Sequence, residues 1–137
     1  MTEKDLIKTA KAAAKMSYSP YSNCRVGAAL LCVNGRVYTG CNIENASFSP
    51  TVCAERTAFF KAISEGEGEF KMIAVYGQKD KKGDTPFYPC GVCRQVMAEF
   101  CGPDFTILVA TDEDYEKFTL SDLLPHIFSI EKGAALK

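Results

Sequence analysis

Tryptophan is absent from this chain, and histidine occurs once, at His126. That imidazole lies in a loop-like tail and reads as a surface residue rather than a metal ligand. No apolar run approaches the roughly 18 residues that a membrane-spanning helix needs, so no membrane role is expected. Excess charge is missing as well: 16 basic and 17 acidic residues leave a formal net charge of −1. A protein that grips polynucleotide by neutralising many phosphates carries a basic surplus, so that class is excluded. The opening residues, Met1-Thr2-Glu3-Lys4-Asp5, lead into an Ala/Lys-rich segment without the apolar core of a secretion signal. The expected compartment is the cytoplasm, where thiols stay reduced.

What is present is an ordinary globular composition, 47% hydrophobic and 24% charged over 137 residues. It rules out disordered, collagen-like and disulfide-stapled chains. The length fits one domain, residues 1–137, able to bury about two-thirds of its unfolded surface. The seven cysteines are an odd number, so they cannot all pair within the chain. In a reducing compartment they are core filler, catalytic groups or metal ligands, and their spacing decides which.

The pattern of elements is legible along the chain. From Thr2 to about Ser17, Leu6, Ile7, Ala10, Ala13 and Ala14 form one apolar stripe at helical spacing, and Thr2 with Asp5 has capping-box spacing. Ser19-Pro20-Tyr21-Ser22-Asn23 breaks that helix. Val26 to Val33 is a continuous apolar run, read as a buried strand. Asn34-Gly35 then signals a two-residue hairpin into a second strand, Arg36 to Cys41. Residues 42–51 are polar and turn-rich. A helix from Val52 to Ser64, a strand from Lys71 to Tyr76 and a charged loop from Lys79 to Pro89 follow. Gly91 to about Cys101 reads as a helix stopped by Gly102-Pro103, and Phe105 to Ala110 as a strand. A short strand near Phe118, a brief helix opened by Thr119 with Asp122, and a loose tail after Phe128 complete the chain. This order predicts an α/β fold, a mixed sheet flanked by helices.

Three cysteines stand where a metal would want them. Cys53 opens the second helix, and Cys90 and Cys93 bracket the start of the third. Helix N-termini favour thiolates through free N–H groups and the helix dipole. Converging helix starts would let three thiolates hold one Zn²⁺ and leave a fourth position open, the mark of a catalytic site. Glu55, two residues past Cys53, is placed to move protons between a water and a substrate. Zn²⁺ with three thiolates carries −1, a poor Lewis acid, and Arg56 is assigned to draw that charge off the sulfurs. Cys-Ala-Glu followed by Pro-Cys-x-x-Cys is the three-cysteine version of the zinc nucleobase-deaminase signature.

At these residues the sequence resembles the small homotetrameric cytidine deaminases. The resemblance runs in order through Tyr18 to Ser22, Val26 to Leu31, Gly40 to Ala46, Cys53 to Ala58, Pro89 to Val96, and Leu123-Leu124-Pro125 with Phe128. It implies a three-layer α/β/α fold with a mixed five-stranded sheet, a nucleoside substrate, one Zn²⁺ per subunit and a homotetramer. It also implies that Asn42 and Glu44 hold the ribose and that the Ala54 backbone and Glu55 hold the pyrimidine. Phe128 would reach into a neighbouring subunit's site. Two positions depart from the family pattern: Cys24, which the resemblance places among the substrate-contacting residues, stands where a Phe usually packs on the base, and Phe48 stands where a Tyr is frequent.

Other readings compete. Cys24, Cys32, Cys41 and Cys101 read as small buried apolar residues, and Tyr21, Phe59 and Phe60 as core. A four-cysteine structural zinc would recruit Cys41 or Cys24 and leave Glu55 without a purpose. A polynucleotide deaminase needs a basic groove that this composition does not supply. A deaminase for another small amino-heterocycle is kept open by Cys24 and Phe48.

Overall fold

A computed structural model describes residues 1–132 of the chain. The elements run α1 (Glu3–Ala14), β1 (Cys24–Cys32), β2 (Val37–Cys41), α2 (Ala54–Ser64), β3 (Phe70–Lys79), α3 (Gly91–Phe100), β4 (Thr106–Ala110), β5 (Tyr115–Thr119) and α4 (Leu120–Leu123). Both expected capping boxes form, Thr2 with Asp5 on α1 and Thr119 with Asp122 on α4. The Asn34-Gly35 hairpin is present with a three-residue loop: Cys32 N–H pairs with Arg36 O, and Gly35 takes φ +90°. That is the geometry in which a turn closes on one left-handed glycine. The loose tail expected after Phe128 has no helix or strand through residue 132, and its remainder lies outside the described residues.

The five strands make one mixed sheet in the order β2-β1-β3-β4-β5. β1 is antiparallel to both β2 and β3, β3 and β4 are parallel, and β5 returns antiparallel to β4. Strand side chains alternate between faces. Ala28, Leu30, Ile73, Val75, Ile107 and Val109 therefore meet α2 and α3 on one face, with Phe59 and Met97 at the centre. Ala29, Leu31, Ala74, Tyr76, Leu108 and Ala110 meet Leu6, Ile7 and Ala10 of α1 on the other. Burial on both faces explains why β1, β3 and β4 read as continuous apolar runs. The result is the three-layer α/β/α arrangement with a mixed five-stranded sheet.

Two close approaches fix the helices on the sheet. A Cβ on Gly27 would lie 2.1 Å from Ala10 O of α1, and one on Gly40 would lie 2.4 Å from Ala54 O of α2. Among the aromatics expected in the core, Phe59 is fully buried, whereas Tyr21 and Phe60 are exposed. Phe60 follows Phe59 by one helical position and so points off the apolar stripe.

Candidate active site

The topology places the site. Because β1 lies between β2 and β3 and opposes both, β2 and β3 run the same way. The chain leaves both at one sheet edge, and α2 and α3 begin there, on the same face. Cys53 is the N-cap of α2 and Cys90 the N-cap of α3, each with extended backbone and no side-chain cap bond. Their sulfurs are free to face each other, and they lie 3.7 Å apart. Cys93, one turn into α3 and buried, completes a cluster whose three sulfurs lie within 4.8 Å of one another. Among the described residues this is the one group of three or more His, Cys, Asp or Glu donors close enough to hold a metal. Cys24 and Cys41 do not join it, so a four-cysteine structural site is not formed.

The donor set fits zinc. Soft thiolates select it, and Zn–S bonds of about 2.3 Å in a tetrahedron put sulfurs about 3.8 Å apart. Arg56 Nη2 donates to Cys53 Sγ at 3.3 Å, and its buried Nε has no hydrogen-bond partner. Burial works against the guanidinium charge, but hydrogen bonds with Cys93 and Cys53 outweigh it and raise its pKa further. Hydrogen bonding with Cys93, then with Arg56 and Cys90, lowers the Cys53 thiol to about 5. The same bond pushes Cys93 above the usual thiol range.

Glu55 sits in the first turn of α2, only 4% exposed. Burial pushes its carboxyl up to about 7, and the neighbouring Cys53 adds to the rise. It faces a cavity of about 320 Å³ that also touches Cys53, Ala54 and Cys90. That volume is at the lower end of small-ligand pockets. Cys24, Val26, Asn42 and Glu44 line it as well. Cys24 carried two readings, buried filler and, from the resemblance, a substrate contact; the first is corrected, since it is only half-buried and lines the cavity on the face of β1 that carries Val26. Phe128 lies elsewhere, 69% exposed, its carbonyl accepting from Gln95 Nε2 at 2.9 Å.

Asn42 and Glu44 are held firmly. Asn42 Oδ1 accepts from Val26 N–H at 2.9 Å and from Ser17 Oγ, and Nδ2 donates to Cys24 O at 2.8 Å. The side chain thus braces the start of β1. Glu44 Oε1 accepts from the backbone N–H groups of Tyr21 and Ser22 at 3.0 and 3.1 Å, and Oε2 from Ser22 Oγ. Burial raises the Glu44 carboxyl, but the Ser22 and Tyr21 donors outweigh it and hold it below the usual range.

Sequence reasoning missed six wall residues, Ser22, Val26, Thr51, Val52, Phe87 and Tyr88. The last two fall in the segment read as a charged loop. Their neighbour Gly77 falls one residue past the strand read from the sequence but inside β3 of the structure, and a glycine within a strand marks close approach of another group. A Cβ there would lie 2.4 Å from Phe87 Cδ1.

A mixed sheet with two cysteine-capped helices over its edge, and a buried carboxylate beside the sulfurs, defines a zinc-dependent hydrolytic deaminase. Comparison with known proteins agrees. Residues 1–109 match the family model for the cytidine and deoxycytidylate deaminase zinc-binding region. The chain is 49% identical over 132 residues to a cytidine deaminase of Sporosarcina psychrophila, covering 96% of this chain and 94% of that protein. Its identity to a cytidine deaminase of Halalkalibacterium halodurans is 48%, covering 96% and 97%. The crystal structure of cytidine deaminase from Burkholderia pseudomallei superposes with a TM-score of 0.86 at 46% identity, covering 93% of this chain and all of that one. The chain belongs to the cytidine and deoxycytidylate deaminase family.

Proposed function

We propose that this protein catalyses the hydrolytic deamination of cytidine and deoxycytidine, giving uridine or deoxyuridine and ammonia as a step of pyrimidine salvage. The observation that carries the reading is the meeting of three clustered thiols, a buried Glu55 and the Asn42/Glu44 pair in one cavity. Cys53, Cys90 and Cys93 would hold zinc, which supplies Lewis acidity and makes water a nucleophile at neutral pH. Glu55 takes a proton from the attacking water and delivers it to N3 of the pyrimidine. Protonation at N3 makes C4 electrophilic, and the water oxygen adds there. Glu55 then carries the remaining proton of the added hydroxyl to the 4-amino group, the C4–N bond breaks as C4=O forms, and ammonia leaves. Arg56 keeps the sulfur charge from quenching the site, the Ala54 backbone and Glu55 orient the base, and Asn42 and Glu44 receive the sugar.

Charge supports a free nucleoside as substrate. Among the described residues no Lys, Arg or His lines the cavity, and two carboxylates do. A phosphate would find no cationic side chain there, and a polynucleotide no basic track. The single domain is proposed to work in the cytoplasm as a homotetramer, with Phe128 completing a neighbouring site. Seven unpaired cysteines support the reducing compartment. The exposed aromatics Tyr21, Phe48 and Phe128 support burial by a second copy. No helix among the described residues is long and apolar enough to cross a membrane.

The test is ultraviolet absorbance with cytidine, deoxycytidine and cytosine side by side, on zinc-loaded protein. Loss of the cytidine band is expected for both nucleosides, and Glu55→Gln abolishes it while retaining zinc. A Glu55→Gln enzyme with near-normal turnover would overturn the assignment. Light scattering that finds a monomer at assay concentration would remove the composite site.

A further inference from the structure

We infer that Phe87 is the aromatic wall against which the substrate ring is held, seated on Gly77 and given its space by Cys24. The inference rests on the proposed reading of this cavity as a nucleoside site.

The wall follows from strand register. Cys24 and Val26 are two residues apart on β1 and share the site face with Ala28 and Leu30. Val26 pairs directly with Gly77 of β3. Gly77 continues the row of Ile73 and Val75, so a side chain there would also point toward the site. Glycine leaves that ground bare, and Phe87 takes it. Its Cδ1, Cγ and Cε1 lie 2.4, 2.5 and 3.0 Å from where a Cβ of residue 77 would sit. The ring therefore rests on the β3 backbone and forms one wall of the cavity, beside Cys24 and Val26. Cys24 is small, and a large side chain in its place would contend with the ring for one volume.

The wall is rigid because each residue leading into Cys90 is anchored. Tyr88 Oη donates to Glu116 Oε1 at 2.5 Å, and its ring meets the edge of Phe118 at 5.9 Å. Pro89 O accepts from Arg94 Nε at 2.7 Å, and Arg94 Nη1 reaches Leu123 O at 2.6 Å. Phe87 lies only three positions before the metal-ligating Cys90. The short, tied segment fixes the distance between an aromatic face and the reacting centre. Aromatic faces hold heterocycles by stacking that tolerates ring substituents. Phe87 thus sets affinity for the pyrimidine ring, while Glu55 and the cysteines set the rate.

Steady-state kinetics on zinc-loaded enzyme test this with Phe87→Ala, Phe87→Leu, Cys24→Phe, Gly77→Ala and the double variant Phe87→Ala/Cys24→Phe. Phe87→Ala is expected to raise the KM for cytidine about tenfold with kcat and zinc content retained. Phe87→Leu stays raised, because filling the space without a π face is not enough. Cys24→Phe raises KM in the wild-type background but lowers it at least threefold in the Phe87→Ala background. Gly77→Ala raises KM by displacing the ring, and it carries the test should Phe87→Ala lose zinc. A KM within twofold of wild type in Phe87→Ala or Gly77→Ala overturns the inference. So does wild-type KM in Phe87→Leu, or simple additivity of the position 24 and 87 effects. Activity that Glu55→Gln abolishes and the Phe87 variants leave unchanged would refute the wall alone. Absence of cytidine deamination in the wild type would refute the site reading itself.

Discussion

Gly40→Ala should damage catalysis through the fold, and the size of the effect can be worked from the packing. The added Cβ would lie 2.4 Å from Ala54 O, 2.5 Å from Ala58 N and 3.0 Å from Thr57 Cβ. The first two are helix backbone atoms, which cannot swing aside. Ordinary contact begins at 3.4 Å, so α2 must retreat by about 1 Å. Its first turn carries Cys53, Glu55 and Arg56, and Thr57 Oγ1 ties that turn to Cys41 O at 3.0 Å. Overpacking of this kind costs about 1–3 kcal/mol, a fall in Tm on the order of 5–10 °C. A misplacement of about 1 Å in a catalytic group costs roughly 10²-fold in rate. Gly27→Ala is the matched control. Its Cβ would lie 2.1 Å from Ala10 O and 2.4 Å from Ala14 N, so it overpacks at least as severely, but against α1 on the opposite face. The assay combines circular-dichroism melts, zinc content and kcat/KM for cytidine at a temperature where each variant is folded. Both variants should melt early, and only Gly40→Ala should lose about two orders of magnitude in kcat/KM per folded molecule. Equal activity losses in the two, or a Gly40→Ala enzyme within threefold of wild type, would refute the reasoning.

Three further outcomes are expected. Removing zinc with a strong chelator should abolish turnover and lower Tm, since a ligand bound only to the folded state stabilises it. The far-ultraviolet spectrum should persist, because neither core cluster contains Cys53, Cys90 or Cys93, and added zinc should restore activity. Asn42→Ala strips partners from Val26 N–H and Cys24 O; it should cost about 1–3 kcal/mol in a denaturant titration and raise the KM for cytidine. Burial, then the bond to Asp112, raises the Tyr76 phenol above its ordinary 10.0. A raised folded pKa stabilises fully below pH 10 and loses that contribution as pH climbs through the folded value. The stability gap between wild type and Tyr76→Phe, measured by urea midpoints, should therefore hold to about pH 10 and close above it. A gap that stays constant to pH 12 would contradict the assignment.

The zinc cluster was legible because its chemistry demands particular residue types at particular helical positions. Cys53, Glu55, Cys90 and Cys93 carry that demand in the chain itself, and the apolar runs of β1, β3 and β4 place their helices. The walls of the cavity were harder to read. Phe87 and Tyr88 sit in a segment whose lysines and aspartates suggest solvent. Only the pairing of Gly77 with Val26, a contact between distant residues, turns Phe87 inward. The filler reading of Cys24 failed for a related reason. Parity along β1 puts it on the core face, but parity does not say that α2 ends before covering it. Asn42 shows a third limit. A turn residue and a ligand residue look alike in sequence, and its bonds to Val26, Cys24 and Ser17 arise only when the start of β1, the segment before it and the end of β2 meet.

The charge of the site and the direction of the strands are linked. Three thiolates and one divalent ion leave −1, which the protein must offset near the sulfurs. Arg56 supplies one positive charge, and each helix N-terminus supplies roughly half of one. Two helix starts can act together only if both lie at the same sheet edge. That requires β2 and β3 to run the same way, and the antiparallel β1 between them enforces it. The same inserted strand begins at that edge, so Cys24 and Val26 become cavity wall. One topological choice thus brings together the three clustered cysteines, part of the positive charge beside them and a wall of the cavity. A parallel β1 in that position would begin at the far edge and leave this wall unbuilt.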